Sequence, residues 1–187
     1  VKEWTYATFD QLVNRIAHHL NDLGVRQGSS VHLALTNSPA FVAIWIATIR
    51  LGAWIVPSDP FGTSVELAEH ISRTSPSVGI YSPSRRENYL SAKPTMPVIE
   101  INEDDMDLEM IPHKSFNLWP EISPRDRAAV MFTSGTTGRP KGAVSTHRAI
   151  LSSIFAFSAR NSVFLMSGTK LKEVDGPDIP TSFILIV

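Results

Sequence analysis

The chain has 187 residues, of which 43% are apolar and 19% are charged, a composition that excludes a disordered chain. Lysine and arginine total 17 against 18 aspartates and glutamates, so no basic surplus would draw the chain to nucleic acid or to acidic lipid. The chain contains no cysteine, which excludes disulfides, thiolate metal sites and a cysteine nucleophile.

The chain begins at Val1, without an initiator methionine and without a secretory signal, so we expect a cut chain from a cytoplasmic protein. The first predicted element is an amphipathic helix. Thr8 and Gln11 have the spacing of a capping box, which predicts that this helix begins at Thr8. Apolar residues then recur at helical spacing as far as Leu23, and Gly24 stands where a left-handed residue ends a helix.

Short apolar runs then alternate with helical segments. The predicted strands cover residues 31–35, 53–56, 78–81, 98–101 and 128–132. One helix is predicted to begin after Ser38 with Pro39 in its first turn, and another at the capping box of Thr63 and Glu66. This alternation predicts an α/β fold with a mainly parallel sheet, covered by helices and joined by right-handed crossovers.

Several segments and side chains are assigned structural roles only. Residues 40–56 are apolar but fall short of the ~20 residues that span a bilayer, so they predict a buried segment and no transmembrane span. Residues 82–126 are polar and proline-rich around one strand, and their acidic patch at 103–107 predicts a solvated loop. We expect two tryptophans in the core, Trp45 and Trp54, and four basic residues at the surface, His18, His19, Arg85 and Arg86.

The feature that carries chemistry is the loop after the strand at 128–132. Its candidate binding residues are Thr133, Ser134, Gly135, Thr136, Thr137, Gly138 and Lys141. The glycines let backbone N–H groups approach a ligand, the hydroxyl groups can donate hydrogen bonds, and the lysine adds a positive charge. Because each charge-assisted contact to a phosphate contributes roughly 1.5–3 kcal/mol, this set suits a polyphosphate.

Other nucleotide and catalytic motifs do not match the chain. The P-loop pattern G-x-x-x-x-G-K-[ST] fails, because Pro140 precedes the lysine and Gly142 follows it. The chain contains no G-x-G-x-x-G, no G-x-S-x-G and no H-E-x-x-H. The remaining alternative for this loop is an ordinary surface turn that is rich in glycine and threonine.

The loop, together with the residue before it, resembles the signature of the adenylate-forming superfamily of acyl-CoA synthetases, luciferases and peptide-synthetase adenylation domains. The matching run reads Phe132-Thr133-Ser134-Gly135-Thr136-Thr137-Gly138-Arg139-Pro140-Lys141-Gly142. Residues 5–9, 37–39 and 50–60 resemble further family segments in the expected order. The resemblance covers most of residues 4–160 and implies that residues 1–162 are part of the large amino-terminal domain of an adenylate-forming enzyme.

In this family a substrate carboxylate attacks the α-phosphate of ATP, which yields an acyl-adenylate and pyrophosphate. The acyl group then usually passes to a thiol such as coenzyme A. The resemblance therefore implies ATP with Mg²⁺, coenzyme A and a small carboxylic acid as substrates, or a carrier protein if the chain comes from an adenylation domain. It also implies that the candidate loop residues hold the β- and γ-phosphates and stabilise the charge of the departing pyrophosphate.

The family pattern is not found after Gly142. The substrate-pocket motif, the adenine-contacting motif, the ribose-binding aspartate and the lysine of the mobile carboxyl-terminal domain are not found, and residues 163–187 are expected to be a divergent or truncated tail. We assign no catalytic residue and no metal ligand, and we expect His147 to be a capping or surface residue. The apolar end at 183–187 is expected to pair with the sheet or make a fragment aggregate. Two hypotheses follow: an inactive fragment of an acid–thiol ligase, or a non-catalytic nucleotide-binding remnant.

Overall fold

The computed structural model describes residues 4–59, 61–103, 119–133 and 140–166, with the backbone alone over 161–166. The chain divides into two compact units, Val1–His147 and Arg148–Val187. The strands of the first unit are β1 (Ser30–Ala34), β2 (Trp54–Pro57), β3 (Val78–Tyr81), β4 (Val98–Glu100), β5 (Arg127–Thr133) and β6 (Lys141–Thr146).

These strands form one sheet in the order β4-β3-β1-β2-β5-β6. Strands β1 to β5 pair in parallel, whereas β6 runs antiparallel to β5. The predicted α/β class and mainly parallel sheet are therefore confirmed. Strand β6 was missing from the sequence prediction, because its alternation of small and polar residues carries little of the apolar signal of a buried strand.

The helices of the chain are α1 (Tyr6–Asp22), α2 (Pro39–Arg50), α3 (Ser64–Thr74), a 3₁₀ turn (Pro83–Arg85), α4 (Arg86–Ser91) and α5 (His147–Met166). Two of them begin as predicted. The hydroxyl of Ser38 accepts a hydrogen bond from the N–H of Phe41 at the start of α2. At the start of α3, the Glu66 carboxylate accepts from the N–H of Thr63, and the Thr63 hydroxyl accepts from the N–H of Glu66.

The predicted start of α1 was wrong. The N-cap is Thr5, three residues before the predicted Thr8, and the helix begins at Tyr6. The Thr5 hydroxyl accepts a hydrogen bond from the N–H of Thr8. Thr8 lies in the first turn and not at the cap. Gly24 has a φ value of 93°, the left-handed conformation predicted at the end of this helix, and Gly52 has a φ value of 68°.

The core lies on both faces of the sheet, since every residue of β1 and of β3 is buried. Trp54 is buried as expected, whereas Trp45 is only partly buried and meets Phe41 edge-on. The expectation of a surface position was wrong for His18, which is 6% exposed on the inner face of α1. Helical spacing places it among Leu12, Ile16 and other core residues of that helix.

Residues 82–126 contain more structure than their composition indicated. The short helix α4 lies in this stretch and inserts Tyr89, which is fully buried. Glu103, expected in a solvated loop, instead accepts hydrogen bonds from the backbone N–H and the hydroxyl of Thr36, so its carboxylate ties this segment to the end of β1. Residues 104–107 of the acidic patch lie outside the described residues.

The second unit is described by α5. This helix continues from His147 to Met166, and no glycine or proline occurs within residues 147–166 to interrupt it. Leu151, Ile154 and Phe155 are exposed on it. Within the described part of the chain, none of the helices is both long enough and apolar enough to cross a membrane.

Candidate functional site

The two ends of the candidate loop are held next to each other by the hairpin of β5 and β6. Thr133 is the last residue of β5, Lys141 is the first residue of β6, and the two are paired across the antiparallel ladder. The Thr133 hydroxyl donates to the carbonyl of Lys141 at 3.4 Å. Both residues are exposed. The strands thus bring a hydroxyl and an ammonium group, eight positions apart in sequence, to one place.

The other candidate residues of the loop are Ser134, Gly135, Thr136, Thr137 and Gly138, and they lie outside the described residues. Their predicted contact with phosphate stays a prediction. The structure does describe the two residues that flank positions 134–139, Thr133 and Pro140. Because β5 is parallel to β2, Thr133 lies at the carboxyl-terminal edge of the sheet, where ligands bind in open α/β folds.

A cavity of about 150 Å³ opens beside the loop. Its walls are formed by the end of β2 and the residues that follow it, one face of α3, and both ends of the loop; the lining residues are Pro57, Ser58, Asp59, Gly62, Glu66, Leu67, His70, Phe132, Thr133 and Pro140. A water molecule occupies about 30 Å³, so the cavity has room for roughly five waters.

The cavity contains acidic groups. It is lined by two carboxylic acids, Asp59 and Glu66, and Lys141 is not among its lining residues. Hydrogen bonds from Thr63 lower the pKa of Glu66, so that this carboxyl is ionised at neutral pH. Negative walls disfavour a polyphosphate. Among the described residues, the phosphate candidates are therefore the exposed Lys141 ammonium group and the Thr133 hydroxyl, and Thr133 also lines the cavity.

A chain of hydrogen bonds leads from this cavity into the sheet. The Ser58 hydroxyl lies 2.8 Å from Nδ1 of His70 and 2.8 Å from Nε2 of His32. Nδ1 of His32 in turn lies 2.8 Å from the hydroxyl of Tyr89. All four side chains are buried. These hydrogen bonds thus connect α3, the residue that follows β2, β1 and α4.

Burial keeps the titratable side chains of this hydrogen-bond chain uncharged at neutral pH. Loss of hydration, followed by the proximity of His70, lowers the pKa of His32 to about 3. Loss of hydration also lowers the pKa of His70, although Glu66 and Glu69 oppose this change. The same cause raises the pKa of Tyr89. Both imidazoles are therefore neutral, and each carries one N–H.

The positions of these protons follow from the buried end of the chain. Among the described residues, the only hydrogen-bond partner of the Tyr89 hydroxyl is Nδ1 of His32. An unpaired buried O–H is costly, so this hydroxyl donates and Nδ1 of His32 accepts. Nε2 of His32 then donates to Ser58, whose hydroxyl donates to Nδ1 of His70. His70 is left with its proton on Nε2.

The four members of this hydrogen-bond chain were not predicted from the sequence. One signal was available: His32 interrupts an otherwise apolar strand, and a polar side chain buried in a sheet requires a partner. The partners themselves leave no local pattern, since His32 is separated from Tyr89 by 57 positions.

His147 follows the loop closely in sequence but not in space. Strand β6 leads away from the loop, and its other end, Thr146, pairs with Arg127 at the start of β5. Six residues of strand separate the two ends by roughly 20 Å. His147 is partly buried, and its Nε2 has no hydrogen-bond partner among the described residues. His147 therefore lies at the amino-terminal end of β5, opposite to the end that carries the loop.

Comparison with known proteins identifies relatives of two kinds. A 4-coumarate–CoA ligase of Arabidopsis thaliana is 32% identical over 165 residues, which cover 80% of this chain and 29% of the ligase. Nonribosomal peptide synthetase 8 of Aspergillus fumigatus is 34% identical over 159 residues, which cover 83% of this chain but 2% of the synthetase. The chain thus spans less than a third of the length of these relatives.

The fold has solved counterparts. The crystal structure of ATP-bound MatB from Rhodopseudomonas palustris superimposes with a TM-score of 0.71 at 27% identity, and the match covers 89% of this chain and 32% of MatB. The six-stranded sheet with its helices is therefore part of the amino-terminal domain of an adenylate-forming enzyme. A family model described as AMP-binding enzyme matches residues 1–171. The chain belongs to the AMP-binding enzyme family.

Proposed function

We propose that the protein containing this chain activates a carboxylic acid with ATP, forming an acyl-adenylate and releasing pyrophosphate, and then passes the acyl group to a thiol. The observation that carries the proposal is the hairpin that presents Thr133 and Lys141 together at the carboxyl-terminal edge of the sheet. Family membership and the ATP-bound state of the related MatB structure support ATP as the ligand.

In this proposal the loop binds the β- and γ-phosphates of ATP. The Lys141 ammonium group is an exposed donor at the downstream end, and the Thr133 hydroxyl can exchange its 3.4 Å hydrogen bond to the Lys141 carbonyl for one to phosphate. The hydroxyl and backbone N–H groups from Ser134 to Gly138 complete the proposed set. Donors that are already in place when the α-phosphate bond breaks stabilise the charge that develops on pyrophosphate. Mg²⁺ would enter as its complex with ATP and neutralise part of that charge.

The acyl acceptor is proposed to be coenzyme A, as the name of the 4-coumarate–CoA ligase states for that relative. The alternative is a carrier protein, because a peptide synthetase is similar to this chain at comparable identity. A carrier-protein domain encoded downstream in the same reading frame would favour the adenylation domain. The acid itself is a small molecule. We further propose that the protein is cytoplasmic. We also propose that the domain ends at residue 162 and that residues 163–187 form a tail.

The test uses the complete reading frame that contains this chain. ATP–pyrophosphate exchange is measured with a panel of fatty, aryl and amino acids. We expect exchange with at least one class. We also expect a loss of roughly ten- to a hundredfold in Lys141→Ala, because one charge-assisted contact to phosphate contributes about 1.5–3 kcal/mol. Lys141→Arg retains the charge and should keep more activity than Lys141→Ala.

Arg125→Ala is the matched control. Arg125 is an exposed cation that precedes β5, at the edge of the sheet opposite to Lys141, so its removal changes the net charge equally without touching the loop. It should leave exchange unchanged. If no acid supports exchange in the wild-type protein while ATP still binds, the non-catalytic nucleotide-binding remnant is the better description.

A further inference from the structure

Helix α3 contacts both ends of the phosphate-binding loop. At the upstream end, the ring of His70 stacks on Phe132, with 3.8 Å between centroids and 12° between planes. At the downstream end, the guanidinium group of Arg73 donates to the carbonyl of Pro140 at 2.5 Å. The same guanidinium group lies 5.2 Å from the centroid of the Phe132 ring. One helical turn thus contacts the residues on either side of 133–139.

The helix that makes these contacts is itself firmly held. Its first turn is closed by the capping box of Thr63 and Glu66, and Leu67 and Ile71 are buried in the core. His70 is attached through Ser58 to the buried hydrogen-bond chain. Because that chain ends on β1 and α4, a displacement of His70 would break hydrogen bonds in the interior.

We propose that α3 positions the phosphate-binding loop, with Arg73 holding its downstream end through Pro140 and His70 holding its upstream end through Phe132. The inference rests on the proposed function of the loop. Neither residue is assigned a contact with ATP; both act through the residues that flank the loop, and both are positioning residues.

The physical reason lies in the composition of the loop. Glycine in general loses more conformational freedom on ordering than other residues do, so fixing the backbone N–H groups of a glycine-containing segment around a phosphate has an entropic cost. A loop whose two ends are already fixed loses less on binding. Removal of a positioning contact should therefore weaken the binding of ATP and leave the binding of the acid unchanged.

The test compares Arg73→Ala with Glu69→Ala in the complete protein. Arg73→Ala removes the hydrogen bond to Pro140 and the contact with Phe132, and we expect about a tenfold rise in the KM for ATP with an unchanged KM for the acid. Glu69 pairs with Arg73 at 3.4 Å on the surface of α3 but does not contact the loop ends, so Glu69→Ala should leave both KM values unchanged. Equilibrium binding of a fluorescent ATP analogue gives a second readout that does not require turnover.

The upstream contact is tested at Phe132. Phe132→Leu removes the ring on which His70 stacks, whereas Phe132→Tyr retains it. We expect a severalfold weaker affinity for the ATP analogue in the leucine variant and wild-type affinity in the tyrosine variant. A general loss of stability would change the affinity for the ATP analogue and the KM for the acid together, whereas loss of the positioning contact should change only the affinity for the ATP analogue.

The outcomes distinguish the inference from the function on which it rests. If the wild-type protein shows no exchange and does not bind the analogue, the proposed function fails. If the wild type is active and Lys141→Ala is not, but Arg73→Ala keeps the wild-type KM and affinity for ATP, the positioning role of α3 is overturned. An equal rise of both KM values in Arg73→Ala would overturn it as well.

Discussion

Replacing Tyr89 with phenylalanine is expected to destabilise the first unit through its buried hydrogen-bond chain. The Tyr89 side chain is fully buried, and its hydroxyl lies 2.8 Å from Nδ1 of His32. The substitution removes only the hydroxyl. The ring remains and can keep its stacking on Tyr81, where the centroids are 4.8 Å apart. The effect therefore isolates one hydrogen bond.

The size of the destabilisation follows from the acceptor that the substitution leaves unpaired. Without the hydroxyl, Nδ1 of His32 is a buried acceptor with no donor, and such a group costs about 1–3 kcal/mol. The imidazole cannot recover the lost energy by taking a proton, because burial holds the pKa of His32 at about 3. We therefore expect a loss of about 2 kcal/mol in the free energy of unfolding.

Pulse proteolysis of the complete protein in increasing urea measures this loss without isolating the chain. Tyr6→Phe is the matched control, since Tyr6 is 97% exposed and its hydroxyl is hydrated in the folded and the unfolded state alike. It should leave the urea midpoint unchanged. If Tyr89→Phe also shifted the free energy of unfolding by less than about 0.5 kcal/mol, the Tyr89 hydroxyl would not be the donor that sets the proton positions along the hydrogen-bond chain.

Three further predictions concern the same unit and use the same urea measurements. Gly79→Ala would place a Cβ atom 2.2 Å from the Tyr89 hydroxyl and 2.8 Å from the end of Met96, so we expect an overpacking loss of about 3 kcal/mol or a failure to fold. Thr63→Ala removes the N-cap of α3 and should cost about 1 kcal/mol. Lowering the pH from 7 to 5 should cost about 2 kcal/mol through His32, whose pKa is 6.5 when unfolded and about 3 when folded. Because the unfolded state takes up the proton first, this loss begins near pH 6.5 and is complete near pH 3; stability that did not fall in this window would contradict the assignment.

Local interactions made much of the fold predictable from the sequence. The caps of α2 and α3 depend on contacts three residues apart, so Ser38 and Thr63 could be identified by spacing alone. Alternating apolar runs and helical segments sufficed to predict the parallel α/β class, since a helix that joins two strands brings the chain back so that the next strand can run parallel to the first. The failure at α1 was also local: Thr5 and Thr8 both satisfy the requirements of a cap, and only the structure shows which one accepts the first N–H.

The sequence by itself determined the candidate residues for phosphate binding, because their glycines, hydroxyl groups and lysine are contiguous and form one motif. Only the tertiary structure decided what contacts the residues on either side of that run. Strand β6, the contacts of Arg73 and His70, and the buried position of Tyr89 all depend on residues far apart in the chain. The physical reason is that hydrogen bonds and ring stacking act over a few ångströms in space, and distance along the chain does not reveal which side chains the sheet brings that close.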